Sequence, residues 1–474
     1  MIEKYIEKDI MRQIKVMEYL FEQKKIQIAD VADFLEVSKI TIKRDIEKIL
    51  FIEPRINVIF ENSSTIEVQF YKNAKRYELV KKIYYESAFL RVCAFYLVGK
   101  TNYMEIVERE HISIAKAFQL KKEVEDFFIH AGIMDESKEF LQSEIKLRLV
   151  ILTIWMRIDA FDQCIDYQIL YEAEEILKKF TKEFFNTLNI REAHFFKLAV
   201  YLSLKRKNNL LDISKREFKY IQKGILYPKI EKILSRYQLN ENEVVFIAMM
   251  YSLLDQNLHN YQYLIIDYRV LRKVYIDDIP NFLELIHMFE LFFNRELLKD
   301  IMFEKPFLRF ITSIFLDRQM FLVEKHYFLN LKQRKLYQDV KNIMFEWNEK
   351  HHYEIELSKR TLEKFCLQVS ESLLHSNEKK WNVFVVAEEE YSHIIYREWL
   401  ERKVNTEYIF IDSVLYYSID SLPAYVDAEN SIIICERTLM QDIHGKIRDS
   451  ETFPVSMMSI TKDLQEFMNY IFNF

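Results

Sequence analysis

Thr41, Arg44 and Lys48 bring a hydroxyl, a guanidinium and an ammonium together in the stretch IADVADFLEVSKITIKRDIEKILF, residues 28–51. At 100° per residue these three share one helical face, opposite an apolar stripe of Ile42, Ile46 and Ile49 at i, i+4 and i+7. Such a set suits the major groove of DNA. A guanidinium can grip guanine in a fork, while the hydroxyl and ammonium take base edges and phosphate. Lys39 and Lys43 add cations, and Ser38 precedes the run as an N-cap whose hydroxyl accepts an orphan amide. Ser38, Lys39, Thr41, Lys43, Arg44 and Lys48 therefore form the expected DNA surface. An ordinary surface helix with a solvated basic face has the same pattern, so the neighbouring elements must decide.

A helix can read a groove only if a scaffold holds it out. Upstream, Val31, Ala32 and Leu35 make a short helix with an inward face, and Glu36-Val37 makes a tight turn. Further back, Ile10, Ile14, Met17 and Phe21 step along one face of a helix over Tyr5 to Gln23. Downstream, Ile56, Val58 and Phe60 alternate, Glu61 to Ser64 supply turn chemistry, and Ile66, Val68 and Phe70 alternate again. Helix, turn, helix and hairpin in that order predict a winged helix-turn-helix. One linking helix is expected over 73–98. A second winged unit is then expected to repeat the theme: TNYMEIVEREH, a turn at His111-Ile112, and Ser113 capping a helix with Leu120, Val124 and Phe127 on its buried stripe. Its outer face carries Lys116, Gln119 and Glu123, a poorer DNA face, which leaves open a supporting DNA contact or a packing role and favours the first.

The chain has 474 residues, half of them hydrophobic, enough for several cores. Only 4 Gly and 6 Pro leave little turn chemistry, which argues for a mainly helical protein with short connections. Net charge is −6, and residues 1–60 hold eleven Lys or Arg against eleven Asp or Glu. DNA affinity must then come from local placement and from a homodimer or larger oligomer. The four cysteines, Cys93, Cys164, Cys366 and Cys435, form no CxxC pair, so neither a zinc site nor a disulfide framework is suggested. The amino terminus lacks a signal-peptide core and no apolar run approaches the roughly 20 residues that span a bilayer. A cytoplasmic protein without a cofactor, metal site or membrane contact is expected.

Helical periodicity continues from about Leu147 to Leu374, too long for one bundle, with a boundary expected near Asn294 to Ile301. After Trp381 the pattern changes. NVFVVAE, EYIFI, SIIICE and PVSMMSI read as strands, with YSHIIYREWLERKV and TKDLQEFMNYIF as helices, which predicts a small α/β domain on a parallel sheet. The expected domains are 1–71, winged helix-turn-helix; 72–160, second helix-turn-helix with linking helices; 161–294 and 295–378, two helical domains; and 379–474, α/β.

VSKITIKRDIEKI, ISIAKAFQLKKEVEDFF and this domain order together resemble the Mga/AtxA family of virulence transcription regulators of Gram-positive bacteria, over essentially the whole chain. The resemblance implies that both helical domains are PRDs, phosphotransferase-system regulation domains, and that the terminal domain is similar to an EIIB subunit. It implies a transcription activator that is dimeric or larger through those parts, with histidines that the carrier protein HPr can phosphorylate. His194, expected exposed at the start of an apolar helix that ends in a basic cluster, resembles such a position, although Asn208-Asn209 stand where the family often shows Gly-His. His375, at the end of the second helical domain, resembles another by location. His259, His326 and the His351-His352 pair are weaker candidates. An active EIIB needs a cysteine and amides to cradle phosphate after its first strand; here Ala387 and three glutamates follow Val386, which argues against phosphoryl transfer and for self-association. Two other readings remain: a PRD-containing RNA-binding antiterminator, disfavoured by a helical amino terminus, and a phosphotransferase-system enzyme component, disfavoured by the missing thiol.

Overall fold

The computed structural model describes residues 2–159, 161, 164–184, 188–254, 261–315, 326–353, 355, 357–374, 381–404, 409–423, 426, 430–443 and 451–473. It divides into two compact units, Met1–Leu374 and His375–Phe474.

In the first unit α1 (Lys8–Gln23) buries Ile10, Ile14, Met17 and Leu20. The short β1 (Lys25–Gln27) leads into α2 (Ile28–Phe34), and Glu36 turns the chain with a left-handed φ of 56°. Next come α3 (Lys39–Ile52), β2 (Ile56–Glu61) and β3 (Thr65–Phe70). Asn62 closes the hairpin by accepting from the amides of Ser64 and Thr65. The antiparallel sheet has the order β1-β3-β2, so β3 is central, with Ile66 and Val68 buried. β2 departs from the expected alternation: a register shift between Val58 and Phe60 leaves both exposed, with Ile59.

The single helix expected over 73–98 is two, α4 (Arg76–Tyr85) and α5 (Ala88–Leu97). Ser87 breaks it, accepting from the Leu90 amide as N-cap while its hydroxyl donates to Glu7 at 2.6 Å. The second unit of the motif follows as α6 (Tyr103–Glu110), a left-handed His111, and α7 (Ile114–His130), capped by Ser113. It has no stranded wing among the described residues. Met134 and Phe140 form one bridge across a turn held by Asp135, so two full winged units is a correct expectation only for the first.

Among the described residues eleven further α-helices follow in this unit: α8 (Glu144–Trp155), α9 (Tyr167–Glu183), α10 (Ile190–Lys205), α11 (Lys215–Lys223), α12 (Tyr227–Leu234), α13 (Glu241–Ser252), α14 (Tyr261–Arg272), α15 (Pro280–Phe293), α16 (Ile301–Phe315), α17 (Leu331–His351) and α18 (Lys359–Leu374). One apolar core runs from Ile2 to Leu254, and a second from Tyr268 to Leu373. The change of core thus lies between Leu254 and Tyr268, not at 294–301. The reason is α15, whose Phe289 packs on Phe303 and Phe365, while its Asn281 carbonyl accepts from the Trp347 indole. Those partners all lie later in the chain.

Buried charge joins these layers. Arg148 on α8 is fully buried and bidentate to Glu243 on α13, at 2.7 and 2.8 Å. On α1, Glu18 accepts from Arg76 of α4 and from both the amide and Nδ1 of His326, at 2.9 and 2.7 Å. The Arg360 guanidinium donates to His326 Nε2, and Arg360 also pairs with Glu3 at 2.6 Å. An arginine cannot accept, so Nε2 carries no proton and Nδ1 does. Burial and Arg360 both lower the His326 pKa, in keeping with a neutral ring.

In the second unit β4 (Trp381–Val386), β5 (Ile409–Ile411), β6 (Ser431–Glu436) and β7 (Glu451–Val455) form a parallel sheet of order β5-β4-β6-β7, with α19 (Glu390–Lys403) after β4 and α20 (Ile460–Asn473) after β7. The last strand begins three residues before PVSMMSI and ends at Val455. Asp463 then accepts from the Ser456 amide and the Ser459 hydroxyl, folding 456–459 into a turn.

Removing the Glu18 carboxylate leaves the half-buried Arg76 guanidinium without its anion and the buried Nδ1–H and amide of His326 without an acceptor. Glu18→Ala should cost about 3–5 kcal/mol in denaturant unfolding. A loss below about 1 kcal/mol, the scale of a surface pair, would show that the cluster does not hold the unit together.

Candidate nucleic-acid interface

The face that α3 presents is built from its cap outward. Ser38 Oγ accepts from the Thr41 amide at 3.1 Å, fixing the first turn. Ile42, Ile46 and Ile49 are buried as the spacing requires. Behind them Asp45, also buried, holds Arg12 of α1 through two hydrogen bonds at 2.5 and 3.2 Å and accepts from Gln13 at 3.3 Å. Asp45, an acid on a helix expected to be basic, carries no local signal of this role, because its partners lie more than thirty residues away.

The outward residues are Lys39, Ile40, Arg44, Glu47, Lys48 and Phe51, with Lys43 half-buried. The predicted cations are thus brought together, with three adjustments. Thr41 is half-buried and its hydroxyl lies 2.8 Å from Ser38 Oγ, so it serves the cap before any base. Lys48 reaches back to Asp9 at 3.5 Å, an exposed pair worth little that a phosphate can replace. The centre of the face shifts to Ile40 and Arg44, one turn apart. Ile40 is 65% exposed at the amino-terminal end of the helix, where an apolar side chain can meet a thymine methyl. Its place outside the 42/46/49 stripe was the signal that could have found it.

Residues 7–57 match the family model for the M protein trans-acting positive regulator (MGA) HTH domain. That span runs from the residue before α1, through both helices of the motif, into β2. Over those residues the chain carries an Mga-type helix-turn-helix domain. No curated protein matches it. The Mga-type domain marks a DNA-binding regulator, and α3 is the element its geometry exposes. Of the eleven acids in residues 1–60, Glu18, Asp45 and Glu53 are buried against cations, so the balanced composition does not describe the outer face. Glu53, bonded to Arg55 and Lys82, anchors the wing root; burial opposes its ionisation but those cations hold its pKa down to about 2. The wing itself, residues 56–70, holds two glutamates and no cation, so phosphate contact falls to α3.

On α7 Lys116 and Gln119 are exposed, at the same offsets from Ser113 as Thr41 and Arg44 from Ser38. Gln119 donates to Glu123 at 2.9 Å, so its amide is partly engaged.

His194 is not the exposed residue expected of a helix start. It is half-buried on α10, in a cleft of about 600 Å³ lined by Arg55, Tyr77, Lys81, Lys82 and Asp159. Lys81 Nζ lies 3.4 Å from its Nε2. Burial first, then Lys81 and Lys197, push its pKa down to about 4, with Asp159 opposing. His375 and His259 lie outside the described residues. In the α/β unit the Glu388 amide donates to Glu436 at 2.9 Å, and Cys435 is buried, so the loop after β4 offers a phosphoryl group carboxylates and no thiol. Among the described residues no His, Cys, Asp and Glu side chains gather as a metal site, and no helix is long and apolar enough to cross a membrane.

Arg44→Ala should weaken duplex binding by about 1–3 kcal/mol if it reads guanine, with the melting temperature unchanged. Ile46→Ala should instead destabilise the domain by about 2–5 kcal/mol. Equal promoter affinity in gel shifts of wild type and Arg44→Ala would remove Arg44 from the interface. A pH effect follows from the histidines. His194 and His326 take up protons in the unfolded chain near 6.5 but resist them when folded, so stability falls as pH drops from 6.5 towards about 4. Thermal melts across that window test the sign, and His194→Asn should flatten the slope.

Proposed function

We propose that this chain is a transcription regulator that binds duplex promoter DNA through α3, as an oligomer, under control of its helical region. The observation that carries the reading is the Ser38-capped helix. It turns Lys39, Ile40, Arg44 and Lys48 to solvent within the Mga-type helix-turn-helix, while its acid Asp45 is locked inward. Four cations with Lys43 are too few for tight binding by one copy, since each neutralised phosphate contributes separately to affinity. Two copies on one duplex double the count, which supports a homodimer or larger assembly. Lys116 and Gln119 on α7 supply secondary contacts.

For control, we place a phosphoryl group on His194. Three features support this: a neutral ring at neutral pH, an Nε2 atom that meets Lys81 in the cleft, and Arg55, Lys81 and Lys82 around it to meet the added charge. The cleft touches α4 and the wing root, so a dianion there would act on the DNA-binding domain through Arg55 and Lys82, the partners of Glu53. His375 is the second proposed acceptor, and the phosphoryl donor is HPr. The α/β unit serves self-association.

Gel shifts with duplex DNA and with single-stranded RNA decide the nucleic acid; preference for RNA would sink the reading. Labelled phosphoryl transfer from HPr to wild type, His194→Ala and His375→Ala decides the control. We expect label in wild type and loss of part of it in each variant. Absence of label from the wild-type chain would remove the histidines from the mechanism.

A further inference from the structure

A cavity of about 620 Å³ lies beside the helix-turn-helix, and neither DNA contact nor His194 makes use of it. Its walls come from distant parts of the Met1–Leu374 unit: Lys15 on α1, Phe34 at the end of α2, Phe328 before α17, Arg334 on α17, and Lys359 and Arg360 on α18. With Lys4 there are five cations around it, against three carboxylates, Glu3, Glu36 and Glu363. That is an excess of two positive charges in a partly enclosed space.

The carboxylates do not reach every cation. Glu3 is taken by Arg360 at 2.6 Å, and Glu363 sits 3.8 Å from Lys359. Arg334 lies over the Phe34 ring at 5.1 Å and donates Nε to the Leu329 carbonyl. Half-buried Lys15 makes no ion pair or hydrogen bond among the described residues. Burial, together with Lys359 and Arg360, lowers its pKa, while Glu3 and Glu363 oppose the shift. Its ammonium thus stands between cations and carboxylates, and none of these carboxylates bonds it directly among the described residues. Phe34 and Phe328, whose rings stand 5.1 Å apart, add an aromatic wall for an organic group.

We infer that this cavity binds a small phosphate ester, its dianion held by Lys15, Arg334 and Lys359 and its organic part against Phe34 and Phe328. The volume is that of a small-molecule site, roughly 300–1,000 Å³, and a phosphate monoester carries about −1.5 to −2 charge at neutral pH, which matches the excess. The ligand would touch Phe34 and Glu36, the turn from which Ser38 launches α3, and also α18, whose Arg360 holds His326. Occupancy therefore couples to DNA affinity, and by linkage DNA affects the ligand equally. This coupling rests on the DNA reading; the binding itself does not.

Calorimetric titration of the full chain with AMP, glucose 6-phosphate and inorganic phosphate tests the site. An ester should saturate one site more tightly than inorganic phosphate. Lys15→Met and Lys359→Met, shown folded by circular dichroism, should each weaken it by about tenfold or more, the worth of a charge-assisted hydrogen bond. No saturable binding of any probe at millimolar concentration, or unchanged affinity in both variants, overturns the assignment. Gel shifts with and without the bound ester then separate the two parts. Unaltered duplex affinity overturns the coupling, whereas absence of duplex binding altogether overturns the DNA reading and leaves the titration result in force.

Discussion

One carboxylate on the first long helix determines how the amino-terminal domain is held. Glu18 is almost wholly buried and gathers Arg76, the His326 ring and the His326 amide around itself, with Arg360 and Glu3 in the next layer. Two charges buried in such a place seldom add net stability over well-packed apolar residues, yet they are costly to separate. The cluster therefore acts as a specification: α1, α4, α18 and the segment before α17 can meet in one arrangement. Since α1 also holds α3 through Arg12 and Asp45, the orientation of the recognition helix is fixed by residues hundreds of positions downstream.

The same placement resolves the charge of the domain. Acids and cations are equal in number over residues 1–60, which on its own speaks against a nucleic-acid surface. Folding sorts them. Asp45, Glu18 and Glu53 turn inward to arginine, histidine or lysine partners, while Lys39, Arg44 and Lys48 turn out. A bulk count treats both sets alike, whereas a groove meets the second set, with Glu47 among it.

What could be read beforehand was local. Ser38 and Ser113 cap the helices they were expected to cap, the Ile42/Ile46/Ile49 stripe is buried, and strands alternate with helices after Trp381. Each rests on neighbours within a few turns. Misreadings arose where distant partners decide. The apolar run 73–98 hid a break because Ser87 is recruited by Glu7, eighty residues earlier. The change of core was misplaced because periodicity shows that α15 has a buried face but not that Phe365 fills it. His194 looked exposed because Lys81 and Tyr77, which cover it, come from α4. The Glu18–His326 contact spans 308 residues and has no local signature at all.

The wing carries a separate consequence. Its outer strand, β2, ends the sheet and shows Val58, Ile59 and Phe60 to solvent, with no lysine or proline along Ile56–Glu61 to blunt it. Sheet edges of that kind are adhesive: unpaired amides and carbonyls beside apolar side chains recruit further strands. The property scales with concentration and not with sequence elsewhere, so crowding of free chains, in a cell or a tube, sets a ceiling on their solubility.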